Sequence, residues 1–204
     1  QIDALSPLNS ERKINMGEIN LNLGNNEKAQ VLFEAALDQV TKDAIDQIGA
    51  LAERVAGIYA DKDPERAEQF LRKALNIKRK QLTLDDLRIF NQLGIALRQQ
   101  GKWRDAVTEY ERALEISPKD EGLYFNMGMA YADGEVIRDA RRCMEKALEL
   151  NADLPRVSAA VAYNMGMVFI KCGARDKARY CLRIALELKP NMKQAKTALE
   201  SLEW

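Results

Sequence analysis

Small and large apolar residues recur in one fixed arrangement at five places along the chain. In each copy two alanines lie seven residues apart, a large apolar residue lies between them, and a leucine follows the second alanine. The copies are Ala29-Phe33-Ala36-Leu37, Ala67-Leu71-Ala74-Leu75, Ala106-Tyr110-Ala113-Leu114, Ala140-Met144-Ala147-Leu148 and Ala178-Leu182-Ala185-Leu186. Seven residues make two helical turns, so each copy predicts one apolar face of an α-helix. Repetition every 34 to 39 residues indicates stacked helical hairpins.

A second helical pattern precedes these alanine helices. Its apolar residues recur three and four positions apart around a central glycine, as in Met127-Gly128 and Met165-Gly166. Glycine inside a helix costs about 1 kcal/mol relative to alanine. We therefore expect these glycines to allow close packing against the facing alanine of the partner helix. Three further glycines stand where a left-handed C-cap would end the first helix of a pair: Gly24, Gly101 and Gly173.

Together these residues resemble the tetratricopeptide repeat (TPR) family. The family signature contains an aromatic residue, Leu-Gly, a second aromatic residue, and then Ala, Phe or Tyr, Ala and Pro. The segment from Leu87 to Asp120 matches nearly every position and closes with Pro118. The resemblance covers about residues 10 to 192. It implies an all-α fold, a right-handed superhelical TPR solenoid of about five helical hairpins plus a C-terminal capping helix.

The pattern also predicts the boundaries of these parts. We expect an N-terminal junction segment over residues 1–9, a TPR array over 10–192 and a capping helix over 193–204. The repeats are expected at about 10–43, 44–82, 87–120, 121–154 and 155–192.

Local signals refine the second, third and fifth repeats. Pro64 is predicted in the first turn of a helix that has Asp63 as its N-cap and runs to about Gln81. Thr83-x-x-Asp86 is typical of a capping box. The fifth repeat has four extra residues around Pro155, which we expect to begin a lengthened helix.

Composition narrows the functional classes. The 31 basic and 31 acidic residues give no global electrostatic case for nucleic acid or an anionic membrane as partner. The chain has no histidine, which excludes Ser-His-Asp and Cys-His catalysis and histidine-based zinc sites. Since no phosphate loop or metal-ligand cluster is visible either, we expect a protein that is not an enzyme and has no cofactor or metal. A basic cluster at Lys78-Arg79-Lys80 is interpreted as cations that favour a helix C-terminus.

Cysteine usage and the chain start bear on location. Cys143, Cys172 and Cys181 lack Cys-x-x-Cys spacing and predict reduced thiols in a cytoplasmic protein. The longest apolar run, around residues 157–170, is too short to span a bilayer. The chain begins with Gln1, so we expect that something upstream was removed. If that was a signal peptide, the location would be periplasmic.

In the TPR family the first helix of each hairpin lines a concave groove, and an asparagine there often binds a peptide backbone. The resemblance assigns this position to Asn15, Gln92, Asn126 and Asn164, with Arg54 in the second repeat. An amide offers a donor and an acceptor together, which suits a backbone partner. The alternative is a polar helix face without a ligand.

Neighbouring positions would set specificity. Phe125, Tyr163, Met129 and Met167 are predicted to form an apolar part of the groove, unless a lengthened helix or the terminal cap covers them. Arg88, Arg98 and Lys171 would add positive charge for a partner with acidic residues. A chaperone-type carboxylate clamp is disfavoured, because Ile14 and Glu18 occupy the positions where it needs Lys and Asn.

These observations favour a non-catalytic scaffold that binds an extended peptide or an amphipathic helix of another protein. The segment Ser6-Pro7-Leu8-Asn9-x-x-Arg12 is similar to bacterial response regulators that carry a TPR array after the receiver domain. This suggests a narrower role as a C-terminal signalling module. The alternatives are a self-assembling, homo-oligomeric TPR protein or a subunit of a secretion or pilus assembly.

Overall fold

The described part of the chain is built from α-helices. The computed structural model describes residues 7–39, 45–60, 62–78 and 82–202, and no strand lies within these ranges. The helices are α1 (Pro7–Asn22), α2 (Asn26–Asp38), α3 (Ile45–Tyr59), α4 (Pro64–Lys78), α5 (Leu87–Gln99), α6 (Trp103–Ile116), α7 (Glu121–Asp133), α8 (Ile137–Leu150), α9 (Ala159–Lys171), α10 (Arg175–Leu188) and α11 (Lys193–Glu200). The predicted all-α fold of helical hairpins is confirmed.

The helices belong to two compact units, residues 1–100 and 101–204. In the first unit α1 pairs with α2 and α3 with α4, and α5 packs on α4 and α3. In the second unit α7 pairs with α8 and α9 with α10, α6 packs on α7, and α11 packs on α10. Second helices therefore cover the first helix of the following hairpin, as α4 covers α5 and α8 covers α9. The predicted third repeat, 87–120, contains the boundary between the units.

The alanine pattern forms the core of the second helices. All ten of its alanines are at most 2% exposed, and the large residue between each pair is fully buried. Alanine allows the close approach of a neighbouring helix, and the large residue fills the space between the two contacts.

The central glycines have a second neighbour besides the alanine that the sequence suggested. A Cβ atom built on Gly166 would lie 2.8 Å from Leu182 Cγ, and one built on Gly128 would lie 3.1 Å from Met144 Cε. At Gly17 the ring of Phe33 would be 2.5 Å away. The expected packing against the facing alanine is present at two of these glycines, because the same Cβ atoms would lie 3.3 Å from the Ala140 carbonyl oxygen and 3.5 Å from that of Ala178. The large residue of the alanine pattern comes closer still and occupies the place of the missing side chain.

Left-handed residues end the first helices of four hairpins. Gly24, Gly101 and Gly173 have φ of 80°, 74° and 68°, as the C-cap prediction requires. Between α7 and α8 the corresponding residue is Glu135, with φ of 58°. The preceding Gly134 lies under the Trp103 ring, where a Cβ atom would be 2.2 Å from the nearest ring carbon. This glycine is needed for packing, and the left-handed position is left to a glutamate.

Two of the predicted helix starts are confirmed. α4 begins at Pro64, and Asp63 Oδ1 accepts a hydrogen bond from the Arg66 amide at 3.1 Å. Asp86 Oδ2 accepts from the Thr83 amide at 2.8 Å, as in a capping box. α4 is described as far as Lys78, so the predicted extension over 79–81 lies outside the described residues.

The lengthened helix at Pro155 was a wrong prediction. Residues Leu154–Arg156 form a separate 3-10 turn, and α9 begins only at Ala159. Ser158 ends the turn and caps α9, because its Oγ accepts from the Val161 amide at 3.1 Å.

The ends of the chain also differ in detail from the predicted boundaries. α1 begins at Pro7, inside the segment expected to be a junction, since the first helical turn does not use the amide hydrogen that proline lacks. Residues 1–6 lie outside the description. The predicted capping helix is α11, and Leu202 after it is 5% exposed. Arg175 and Arg179 both donate to the Leu202 carbonyl, at 3.0 and 2.7 Å.

Lys78 lies in the last turn of α4, where the basic cluster was predicted, and it is buried. Its side chain is 3% exposed, and Nζ lies 2.5 Å from Oδ1 of Asp86, which is 1% exposed. Gly49 in α3 lies beside this pair, and a Cβ atom there would be 3.6 Å from Asp86 Oδ1, an ordinary contact distance. The lysine is buried because a carboxylate from the start of the next helix neutralises it.

Candidate functional site

The predicted amide positions lie on adjacent first helices within each unit. In the first unit, Asn15, Arg54 and Gln92 lie on α1, α3 and α5, and α3 contacts both of the other helices. In the second unit, Asn126 and Asn164 lie on α7 and α9, which contact each other. Both of these asparagines are half-buried, so part of each side chain remains accessible. The structure therefore brings the positions together unit by unit.

Asn15 already has a partner in its own chain. Its Oδ1 accepts a hydrogen bond from Arg54 Nη2, and both residues are exposed. A partner protein would have to compete with this arginine for the asparagine oxygen. The role of Asn15 as a backbone clamp remains a prediction.

Gln92 lies at an apolar cleft of the first unit. The cleft has a volume of about 170 Å³ and lies between α3, α4 and α5. Apart from Gln92 and Gln99 its walls are apolar or small: Ala56, Gly57, Ala60, Ala67, Leu71, Ile95 and Ala96. The Gln92 Oε1 atom is buried and has no hydrogen-bond partner. This combination of an apolar cleft and an unmatched acceptor is typical of a ligand site.

The predicted apolar groove residues of the second unit divide into two groups. Phe125 is only 9% exposed and belongs to the hydrophobic core with residues of α8, α9 and α10, so its assignment to an open groove is corrected. Met129 and Tyr163 pack against that core but are only partly buried. Met167 is also half-buried. Their role in peptide binding remains a prediction.

The predicted cations are engaged within the chain. Arg88 is 74% exposed, and its Nε lies 3.4 Å from Glu53 Oε1. Burial raises the pKa of Glu53, against the opposing effect of Arg88. Lys171 donates to the Ala132 carbonyl at 3.2 Å, near the C-terminus of α7, and Arg98 is half-buried. These contacts weaken the case for a partner selected by acidic residues.

The thiols are ordinary and reduced. All three cysteines are free, and burial raises the pKa of Cys143 to about 11 and that of Cys181 to about 12. Such groups remain protonated near neutral pH and are poor nucleophiles. In the described residues no three potential metal ligands come together. Over the same ranges, no helix has the length and apolar character needed to cross a bilayer.

Two family models match the helical repeats. A TPR repeat model matches residues 85–134, and a tetratricopeptide repeat model matches residues 11–39 and 122–154. The matched segments contain the paired helices and the glycine positions described above. The chain is a tetratricopeptide-repeat protein.

Solved TPR structures share this fold. A structure of BtubC from P. vanneervenii has a TM-score of 0.66 at 23% identity, covering 90% of this chain and 80% of its own. YrrB, described as a TPR protein with an unusual peptide-binding site, has a TM-score of 0.57 at 22% identity, covering 92% and 90%. At these identities the likeness shows the fold alone.

One curated relative is a pilus assembly protein. The type IV pilus assembly protein PilF of Pseudomonas aeruginosa is 28% identical over 154 residues. The match covers 73% of this chain and 56% of PilF, so the TPR chain spans about half the length of that relative. The comparisons give no link to a response regulator, and that resemblance stays a prediction.

TPR repeats form scaffolds for protein–protein interaction and are generally non-catalytic. The sequence places its candidate binding residues on the first helices, and their role in binding stays a prediction. Sequence reasoning missed Gly57, which lines the cleft beside Gln92. The available signal was its register: Gly57 follows Ala56, the residue that replaces the central glycine in α3, just as Ile95, Met129 and Met167 follow the glycines of later repeats.

Proposed function

We propose that this TPR protein binds an extended peptide of another protein along the first helices of its hairpins. The observation that carries the proposal is the pair Asn126 and Asn164, which lie at the same position of the adjacent helices α7 and α9. Each remains partly accessible, and an amide pairs with both the amide and the carbonyl of a peptide backbone.

Half-buried apolar side chains beside these asparagines support the same interpretation. Met129 and Met167 follow the two central glycines, and Tyr163 precedes Asn164. Flexible thioether side chains adapt to different apolar groups, so they suit a surface that recognises peptide side chains. YrrB, which shares this fold, is described as having an unusual peptide-binding site, and this supports the proposal.

The proposal is tested by comparing two double variants as bait for binding partners. Asn126→Ala/Asn164→Ala removes the amides from the first helices. Arg142→Ala/Lys146→Ala removes one exposed and one half-buried charged side chain from the second helix α8 and serves as the control. We expect quantitative mass spectrometry to find a partner that the wild-type chain and the control retain and the asparagine variant loses. A partner retained equally by all three baits contradicts the groove assignment.

A second proposal is that the chain takes part in assembling a pilus or secretion machine. The specific observation in its favour is the similarity to PilF. It predicts that deletion of the gene reduces surface pili and surface motility, and that the wild-type gene restores both. Normal pili in the deletion strain would contradict it. Light scattering over a concentration series tests the self-assembly alternative, which requires the mass to rise with concentration.

A further inference from the structure

Gly57 differs from the residues at the corresponding sequence position of the other first helices. The residue that follows the central glycine, or its equivalent, is Glu18 in α1, Gly57 in α3, Ile95 in α5, Met129 in α7 and Met167 in α9. Only α3 has no side chain at this position. A Cβ atom built on Gly57 would meet no atom within 4 Å. Close packing therefore does not require this glycine, although glycine disfavours the helix.

The missing side chain leaves the cleft described above. Gly57 and Ala60 line it from α3, Ala67 and Leu71 from α4, and Ile95 from α5. Its volume is about 170 Å³. An apolar cavity of about 150 Å³ admits a group of the size of benzene. The cleft therefore has room for one aliphatic side chain.

Gln92 requires a hydrogen-bond donor from any ligand that fills the cleft. Its Oε1 is buried without a hydrogen-bond partner and carries a partial negative charge. A buried acceptor without a partner is unfavourable, and an N–H group satisfies it. An extended peptide places a backbone N–H beside each side chain, so one residue supplies both the aliphatic group and the donor.

We propose that the cleft is a side-chain subsite for the partner peptide: an aliphatic residue of the partner fills the space at Gly57, and a backbone N–H beside it donates to Gln92 Oε1. The inference rests on the proposed peptide-binding function and names the chemistry that the first unit recognises. The partner supplies the side chain that α3 lacks beside Ile95 of α5.

Two synthetic peptides test the subsite on the full chain. The probes are acetyl-Ala-Ala-Leu-Ala-Ala-amide and the same peptide with glycine at the centre, titrated into ¹⁵N-labelled protein and followed by NMR. We expect the leucine peptide to shift the amide signals of Gly57 and Ile95 and to bind about tenfold or more tightly than the glycine peptide, since burial of a leucine side chain changes affinity by roughly 10- to 100-fold.

Variants assign the preference to the cleft. Gly57→Leu fills it from within and is expected to abolish the difference between the peptides, while Ala50→Leu, at an exposed position of the same helix, retains it. Gln92→Met keeps the length of the side chain and removes the acceptor, so both peptides should bind about three- to tenfold more weakly. Gly57→Leu is not expected to unfold the chain, because its added side chain enters open space.

Three outcomes overturn the subsite: equal affinities for the two peptides, an unchanged preference in Gly57→Leu, or no binding of either peptide. The proposed function fails separately. A partner that depends on Asn126 and Asn164 but binds Gly57→Leu normally leaves the peptide-binding function intact and removes only the subsite.

Discussion

The hairpin of α3 and α4, with α5 packed on it, and the two hairpins of α7 to α10 use the same helical architecture but fill it differently. In α7 to α10, all of which the structure describes, each central glycine receives a large apolar residue, and no charged side chain is buried. In α3 the central position is Ala56, Tyr59 stacks on Phe70 at 5.9 Å, and the buried pair Lys78–Asp86 joins α4 to the start of α5.

The difference shows where a repeat protein can vary. The alanine pattern of the second helix is kept in both regions, because it sets how closely helices pack. The first helix tolerates the loss of its central glycine when the surrounding side chains change with it. The irregular region, α3 to α5, has both a buried charge pair and an apolar cleft. In the regular region, α7 to α10, no charged side chain is buried.

The largest expected effect comes from breaking the buried pair. Lys78→Met leaves Asp86 buried without its cation, so the free energy of unfolding should fall by about 3–5 kcal/mol. Urea denaturation measures the change. The control is Lys146→Met in the regular region, whose partner Glu149 is 68% exposed, and its cost should be below about 1 kcal/mol. An equal loss of unfolding free energy in the two variants would contradict a buried pair that stabilises the fold.

Replacement by alanine should change the free energy of unfolding in opposite directions at the central glycine Gly166 and at the cleft glycine Gly57. Gly166→Ala places a Cβ atom 2.8 Å from Leu182 Cγ, and we expect a loss of about 1–3 kcal/mol in the free energy of unfolding. Gly57→Ala enters open space in a helix and should gain about 1 kcal/mol. Thermal or urea unfolding of both variants checks the signs. Destabilisation by Gly57→Ala would mean that the cleft is closed.

A smaller effect is expected where the regular region departs from its own pattern. Glu135 is in the left-handed conformation that glycine occupies in the other described hairpin loops, so Glu135→Gly should stabilise the protein by about 0.5–1 kcal/mol. Gly173→Ala is the matched control and should destabilise it by a similar amount. A loss of stability in Glu135→Gly would show that the glutamate side chain contributes more than its backbone costs.

Alkaline pH should lower the stability of the second unit, because that unit contains all three cysteines. Burial raises the pKa of Cys143 from 9.0 to about 11 and that of Cys181 to about 12, so the unfolded chain loses these protons first as pH rises. Stability should therefore fall between about pH 9 and 11. Urea unfolding across that range should show a shallower fall for Cys143→Ala/Cys181→Ala than for wild type. An identical slope would indicate accessible thiols.

The periodicity of apolar residues predicts the helices well here, because burial of the alanine face stabilises them. Local signals of capping are equally direct, as at Thr83 and Asp63, where the side chain and the amide it accepts from are three residues apart. Competition between two such signals is harder to judge. At the fifth repeat Pro155 and Ser158 both mark a helix start. The helix α9 begins after Ser158, because the serine hydroxyl accepts a hydrogen bond from an amide of α9.

Contacts between elements were the part that the sequence did not reveal. Lys78 stands in a basic run that was interpreted only as favourable at a helix C-terminus, and the fold alone places it beside Asp86. Phe125 and Met129 look equivalent as groove residues, but packing buries the first and leaves the second partly accessible. A missing side chain such as that of Gly57 gives no signal by itself and becomes visible only when the repeats are compared in register.

The Lys78–Asp86 pair also restricts the paths by which this sequence can evolve. Loss of either charge alone leaves the other buried, so single substitutions at these positions should be removed by selection. Simultaneous replacement by two apolar residues of similar size is much less harmful. Related chains should therefore have both charges or neither, and the two positions should change together in a family tree.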